Sequence, residues 1–183
     1  MRIELLNEEK DARLYSFPAP TERQPQAIMK EMDPFVRFRV VRAAGLPEPL
    51  LLVVAVMPGV SGHSFSASLV GEVGRRLRVL NEKPLMANNQ GGIHVGDLGG
   101  GRGAGVAVWT PIWDPESEGH YSAHRFEVER HPFDARRGRF MKDGTTRSKG
   151  KYGEHGEGAL KELGLRYTDL LQDMPDVSEY HWL

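Results

Sequence analysis

The stretch from Phe35 to Met57 limits the fold of this chain more than any other part of it. From Phe35 to Arg42 apolar and charged residues alternate, with Val36, Phe38 and Val40 against Arg37 and Arg39, which is the period of a half-buried strand. After the turn residues Ala44-Gly45-Leu46-Pro47, Leu50 to Met57 is apolar throughout and rich in valine, as a strand covered on both faces requires. The two runs are expected to pair as a hairpin at the centre of a sheet.

The rest of the chain is read around that pair. Met1 to Leu6 and Ala12 to Phe17 read as short strands, Pro18 to Pro25 is irregular, and a short helix is expected over Pro25 to Met32, where Asp33-Pro34 ends it. In Ser66 to Leu80, Leu69, Val70, Val73, Leu77 and Leu80 recur at helical spacing, so the segment is expected as an amphipathic helix packed on the sheet. Gly105 to Trp113 and Tyr121 to His131 read as two more strands. Helical spacing returns from Ala159, breaks at Gly164 and resumes until Pro175. The expected class is α+β: a single domain over 1–183, with an antiparallel or mixed sheet of about five or six strands, a covering helix at 66–80 and a C-terminal helix. The segment 143–158 has the composition of an exposed flexible loop.

A chain of 183 residues has the usual size of one domain, and with 39% hydrophobic and 27% charged residues it lies away from the composition of disorder. It has no cysteine, which excludes a disulfide framework, a thiolate metal site and a cysteine nucleophile. No run of about 18 apolar residues is present to span a membrane, and the first ten residues do not resemble a secretory signal. A cytoplasmic protein without membrane association is expected.

The net charge of −1 conceals two opposed segments. Residues 120–151 hold nine Arg and Lys against four acids, and residues 152–183 hold seven acids against Lys161 and Arg166. The basic stretch, with Arg136, Arg137, Arg139, Lys142, Arg147, Lys149 and Lys151 interleaved with Phe140 and Tyr152, has the cations and rings of a nucleic-acid surface. Within Asn88 to Gly105 fall eight glycines. Their backbone N–H groups, at Gly99, Gly100, Gly101 and Gly103 beside Arg102, are candidates to cradle a phosphate, although a hairpin connection explains the same composition.

Histidines adjoin these segments. His120 and His124 have the helical spacing of a zinc pair, but the alternation of Phe126 and Val128 with Arg125, Glu127 and Glu129 makes this a strand, where residues four apart stand about 13 Å from each other. No metal or cofactor is therefore expected. Imidazoles also move protons unaided, so a metal-independent phosphodiesterase or nuclease is one reading: His120, His124, His131 or Glu129 as acid–base groups, and Arg137 or Arg139 stabilising the phosphorane, while Arg147, Lys149 and Lys151 bind the ligand. The alternative is a non-catalytic interaction or assembly module, a phage or defence-system component, that docks on protein partners through its charged segments and its acidic, aromatic tail, 173–183.

Two further patterns are weaker. Gly59-Val60-Ser61-Gly62-His63 interrupts the G-x-S-x-G order of a nucleophile elbow. The succession of Arg37 or Arg39, Ser66-Ala67-Ser68 and Glu127-Val128-Glu129 is similar to the Arg, Ser-x-Ser, Glu-x-Glu series of ADP-ribosyltransferases, which carry their serines on a strand; the helical reading of 66–80 sets that resemblance aside.

Overall fold

The structure, a computed structural model, describes residues 2–5, 13–16, 35–59, 62–113, 122–168 and 170–171. The segments expected as a helix at Pro25 to Met32 and as an acidic tail at 173–183 lie outside the described residues, as do Ser61 and His120.

The described chain is mostly strand. β1 (Arg2–Leu5) and β2 (Arg13–Ser16), within the two stretches expected as short strands, pair antiparallel. A five-stranded antiparallel sheet holds β3 (Phe35–Val41), β4 (Leu50–Gly59), β5 (Gly62–Glu72) and β6 (Leu77–Val79) in that order, with β7 (Leu85–Asn88) pairing the other half of β5. A second holds β8 (Gly92–Asp97), β9 (Ala104–Ile112), β10 (Arg125–Asp134) and β11 (Arg139–Phe140), with β12 (Gly144–Arg147) also pairing β10. The inner faces of the two sheets meet in one apolar cluster, Leu50, Leu52, Val54, Phe65, Leu69 and Leu85 from the first against Ile93, Val106 and Val108 from the second.

The β3–β4 hairpin forms as expected, and β4 is buried along its middle, but β3 is an edge strand and not the centre of its sheet. Its pairing sets Arg37 beside Val54 and Arg39 beside Leu52, so the arginines alternate to the side of the shared core. Val36 and Phe38 join Val53, Ala55 and Val70 in a smaller cluster on the opposite face, and Val40 is 57% exposed. At the rim of a sheet a long guanidinium stem can cover apolar surface and still reach outward, which removes the force that alternation alone implies.

The expected helix at 66–80 is corrected by the structure. Residues 62–72 form β5, in which Phe65, Ala67 and Leu69 enter the shared core while Ser66 and Ser68 alternate to the other face. The chain then reverses at Val73–Arg76, where Gly74 (φ 60°) and Arg75 (φ 62°) are both left-handed and the Val73 N–H donates to Arg76 O at 2.9 Å. This is a two-residue hairpin connection, and apolar spacing that fits a helix over five positions fits two paired strands as well. Arg75 takes a conformation that glycine adopts without strain. Arg75→Gly is expected to raise stability by roughly 0.5–1 kcal/mol, read as a higher denaturant midpoint, and a lower midpoint would count against this turn.

The layer that covers a sheet is a shorter helix, α1 (Glu157–Glu162), placed where the C-terminal helix was expected to begin. Ala159 and Leu160 pack with Leu98, Trp109, Phe126 and Val128 on the outer face of the second sheet. Gly164 (φ 73°) ends the helix, with Gly164 N–H donating to Lys161 O at 3.1 Å and Leu165 N–H to Leu160 O at 2.8 Å, the paired bonds of a left-handed C-terminal cap. Beyond it the chain passes the β8 edge, where the Leu170 N–H donates to Ile93 O at 3.0 Å.

The two sheets are also joined by backbone at one flank. Asn81 bridges Phe140 in parallel, and the Phe140 N–H donates to Leu80 O at 2.7 Å. Nearby, the Val73–Arg76 turn meets the turn before β11, since a β-carbon built on Gly138 would stand 2.9 Å from Val73 Cγ1.

Candidate functional site

β10 carries most of the chemistry that the sequence suggests, and its alternation divides those groups between two sides. Phe126 and Val128 point to the outer layer under α1, and Arg130 alternates with them. Glu127, Glu129 and His131 point the other way, toward the flank of the shared core. Along that side lies a cleft of about 430 Å³, lined on one wall by Asn81, Glu82, Lys83 and Pro84 and on the other by Glu129, His131 and Lys142, with Val108 and Phe140 beneath.

Glu129 organises this wall. Its carboxylate accepts from Lys142 Nζ at 2.6 Å and stands 3.5 Å from His131 Nε2. The second distance is an ion-pair approach and not a hydrogen bond, which leaves the buried Nε2 atom of His131 without a hydrogen-bond partner. Burial holds the His131 imidazole below the ordinary histidine range, against the opposing pull of Glu129. Lys83 opposite makes no ion pair among the described residues.

The histidines are not gathered. His124 is 1% exposed, with its ring centroid 4.4 Å from that of Trp113, and its backbone exchanges hydrogen bonds with Tyr152. It belongs to the packing of β10 and has no access to the cleft lined by His131. A further buried imidazole, His94 on β8, bonds through Nδ1 to Thr168 Oγ1 and through Nε2 to Asp97 O at 3.1 Å, and burial lowers its pKa.

The glycine-rich segment is a hairpin connection between β8 and β9. Leu98 N–H donates to Gly103 O at 2.9 Å and Arg102 N–H to Gly99 O at 3.2 Å, while Gly99, Gly100, Gly101 and Gly103 all have positive φ. Gly99 is required for a second reason: a β-carbon there would stand 2.2 Å from Gly164 O, so the turn is seated against the end of α1. The Gly99 N–H donates to the Asp97 carboxylate at 3.0 Å, and Arg102 stands 3.5 Å from Asp143. Leu98 packs in the outer cluster beneath α1, on the side of the second sheet away from the cleft, so turn and cleft do not share one anion.

Much of the basic stretch is matched by acids close in space. Arg137 pairs with Asp134 at 3.1 Å, Arg139 with Glu82 at 3.0 Å, and Arg147 with Glu127 at 2.8 Å. Arg130 is 5% exposed and donates to Thr146 Oγ1 at 2.6 Å and Leu163 O at 2.8 Å, so it ties β12 and the end of α1 to β10. The backbone N–H of Lys149 donates to Glu162, as do the Gly150 N–H and the Tyr152 hydroxyl, and these bonds hold the Glu162 carboxyl below its ordinary range. Lys149 and Lys151 are exposed on this loop.

Compared with known protein families, characterised proteins and solved structures, the chain matches none.

What the sequence reading missed is the meeting of two arginine turns. Arg75, Arg76 and Arg78 fall within the segment expected as a helix; in the structure they lie in and just after the β5–β6 turn, which stands against the turn carrying Arg136 and Arg137, with Arg139 just beyond. All six are exposed. Arg75, Arg76, Arg78 and Arg136 make no ion pair among the described residues. The signal available in the sequence was Gly74 within an otherwise regular helical pattern. The ADP-ribosyltransferase-like series does not come together, even though Ser66 and Ser68 do stand on a strand. They alternate to the outer face of the first sheet, whereas Glu127 and Glu129 face its inner side.

Proposed function

We propose that the protein binds the phosphate backbone of nucleic acid at the end of the molecule formed by the Val73–Arg76 and Asp134–Gly138 turns. The observation that carries this reading is the contact of Gly138 with Val73, which brings two arginine-bearing turns from different sheets to one place. Six arginines are carried by these turns and the strands beside them, where Asp134 pairs with Arg137 and Glu82 with Arg139; with Glu72 counted as a third acid, three positive charges remain in excess. Arginine presents a planar set of donors that matches phosphate oxygens, and an exposed ion pair is worth at most about 1 kcal/mol, so even Arg137 and Arg139 can exchange their carboxylates for phosphates. The reading is one of binding. Of the acid–base groups expected from the sequence, His131 and Glu129 share a cleft, His124 is buried elsewhere, and His120 is outside the described residues.

Fluorescence anisotropy with a labelled mixed-sequence oligonucleotide, titrated over a series of salt concentrations, tests the proposal. Four phosphate contacts by the unpaired arginines give a slope of log K against log salt of roughly −3 to −4. An absence of binding at low salt, or a slope near zero, would remove this function from consideration.

A further inference from the structure

We infer that the cleft between the Asn81–Pro84 segment and β10 is a second, separate binding site, for a small organic carboxylate with an apolar body. Its size falls in the range of roughly 300–1,000 Å³ typical of small-molecule sites, at about 430 Å³. The chemistry of its walls selects the ligand. Glu129 is engaged by Lys142 within the lining and Glu82 by Arg139 from outside it, so with that outer partner counted Lys83 is the one charged group of the cleft without an ion pair among the described residues. One surplus cation suits a monoanionic head. The buried Nε2 atom of His131, which has no hydrogen-bond partner, supplies a second polar contact for that head. A buried polar atom left unpaired costs free energy that a ligand oxygen recovers when it binds. Below these groups the surface is made by Val108 and Phe140, so the remainder of the ligand is apolar.

The site goes beyond nucleic-acid binding: none of Arg75, Arg76, Arg78 or Arg136 lines the cleft, and the two are linked only through Arg139, whose pairing with Glu82 balances one charge of the cleft wall.

Calorimetric titration with 2-naphthoate, its neutral analogue 2-naphthalenemethanol and the dianion 2-naphthyl phosphate decides the matter. The carboxylate is expected to bind at least about tenfold more tightly than the alcohol and no less tightly than the phosphate, a difference of one charged contact. Lys83→Gln, a change at an exposed residue that spares the core, is expected to weaken naphthoate by about tenfold and leave the alcohol as it was. In amide spectra of the intact protein the carboxylate should shift Lys83, Glu129 and His131. Equal affinity for carboxylate and alcohol, tighter binding of the phosphate, no binding of any of the three, or shifts confined to residues outside the cleft would each overturn the inference. Naphthoate binding that is unchanged in an Arg75→Ala/Arg136→Ala variant shows the cleft to be independent of the arginine turns. Naphthoate binding lost in that variant rejects a separate site.

Discussion

Trp109→Ala is expected to cost about 3–5 kcal/mol, the range for truncating a large buried aromatic. Trp109 is fully buried on β9, where it packs with Phe126, Val128, Ala159 and Leu160, and its ring centroid lies 6.0 Å from that of Tyr167. Its indole N–H also donates to His155 O at 2.9 Å, which fixes the turn before α1 to the sheet. Removing the side chain therefore empties the space beneath the helix and leaves a carbonyl without its donor. For a chain of this length the loss lowers the melting temperature by on the order of 10 °C, measurable by calorimetry or circular dichroism. Trp109→Phe keeps most of the volume and should recover more than half of the deficit. A loss below about 1 kcal/mol for the alanine variant would mean that α1 does not rest on this sheet.

The triple replacement Arg75→Ala, Arg76→Ala and Arg136→Ala is expected to lower oligonucleotide affinity roughly a thousandfold at about 50 mM salt and to flatten the salt slope by about 3. Each phosphate neutralised on B-form nucleic acid contributes close to one unit of that slope, so three lost contacts remove about three decades of affinity at such ionic strength. All three side chains are exposed and make no ion pair among the described residues, so the melting temperature should move little. A matched control, Arg147→Ala, removes a cation that pairs with Glu127 at 2.8 Å away from the two turns, and it should leave affinity within about threefold of the parent. Equal losses in the triple variant and the control would point to diffuse charge and not to the turns.

The strands were legible where composition admits one period. Phe35–Val41, Leu50–Gly59, Ala104–Ile112 and Arg125–Asp134 all stand within a few residues of where alternation or continuous apolar runs put them. The region 66–80 was not, because Leu69, Val70, Val73, Leu77 and Leu80 satisfy helical spacing and hairpin pairing together, and only the left-handed pair Gly74 and Arg75 distinguishes the two. Legibility of the cleft was partial. Glu129 and His131 were picked out for their acid–base chemistry, and residues two apart on a strand do share a face, but Lys83 comes from a segment that reaches them only when the sheets pack. Charge was the least legible property. Within 120–151 the cations Arg137, Arg139, Lys142 and Arg147 are matched by carboxylates in space, while Arg75, Arg76 and Arg78, which make no ion pair among the described residues, lie in a stretch that alone gave no sign of a binding surface.

The backbone bond from Phe140 to Leu80 also bears on which strand margins a second chain could reach. An unpaired strand margin invites another chain to add itself, and β6 would present one if its sheet stood alone. Here the margin past β6 is met by the other sheet and that of β8 by the chain around Leu170, whereas β3, β7, β12 and both strands of the β1–β2 pair each keep a margin that pairs with no other described strand. β3 carries Arg37 and Arg39, and like charges brought together on two copies oppose addition along that strand.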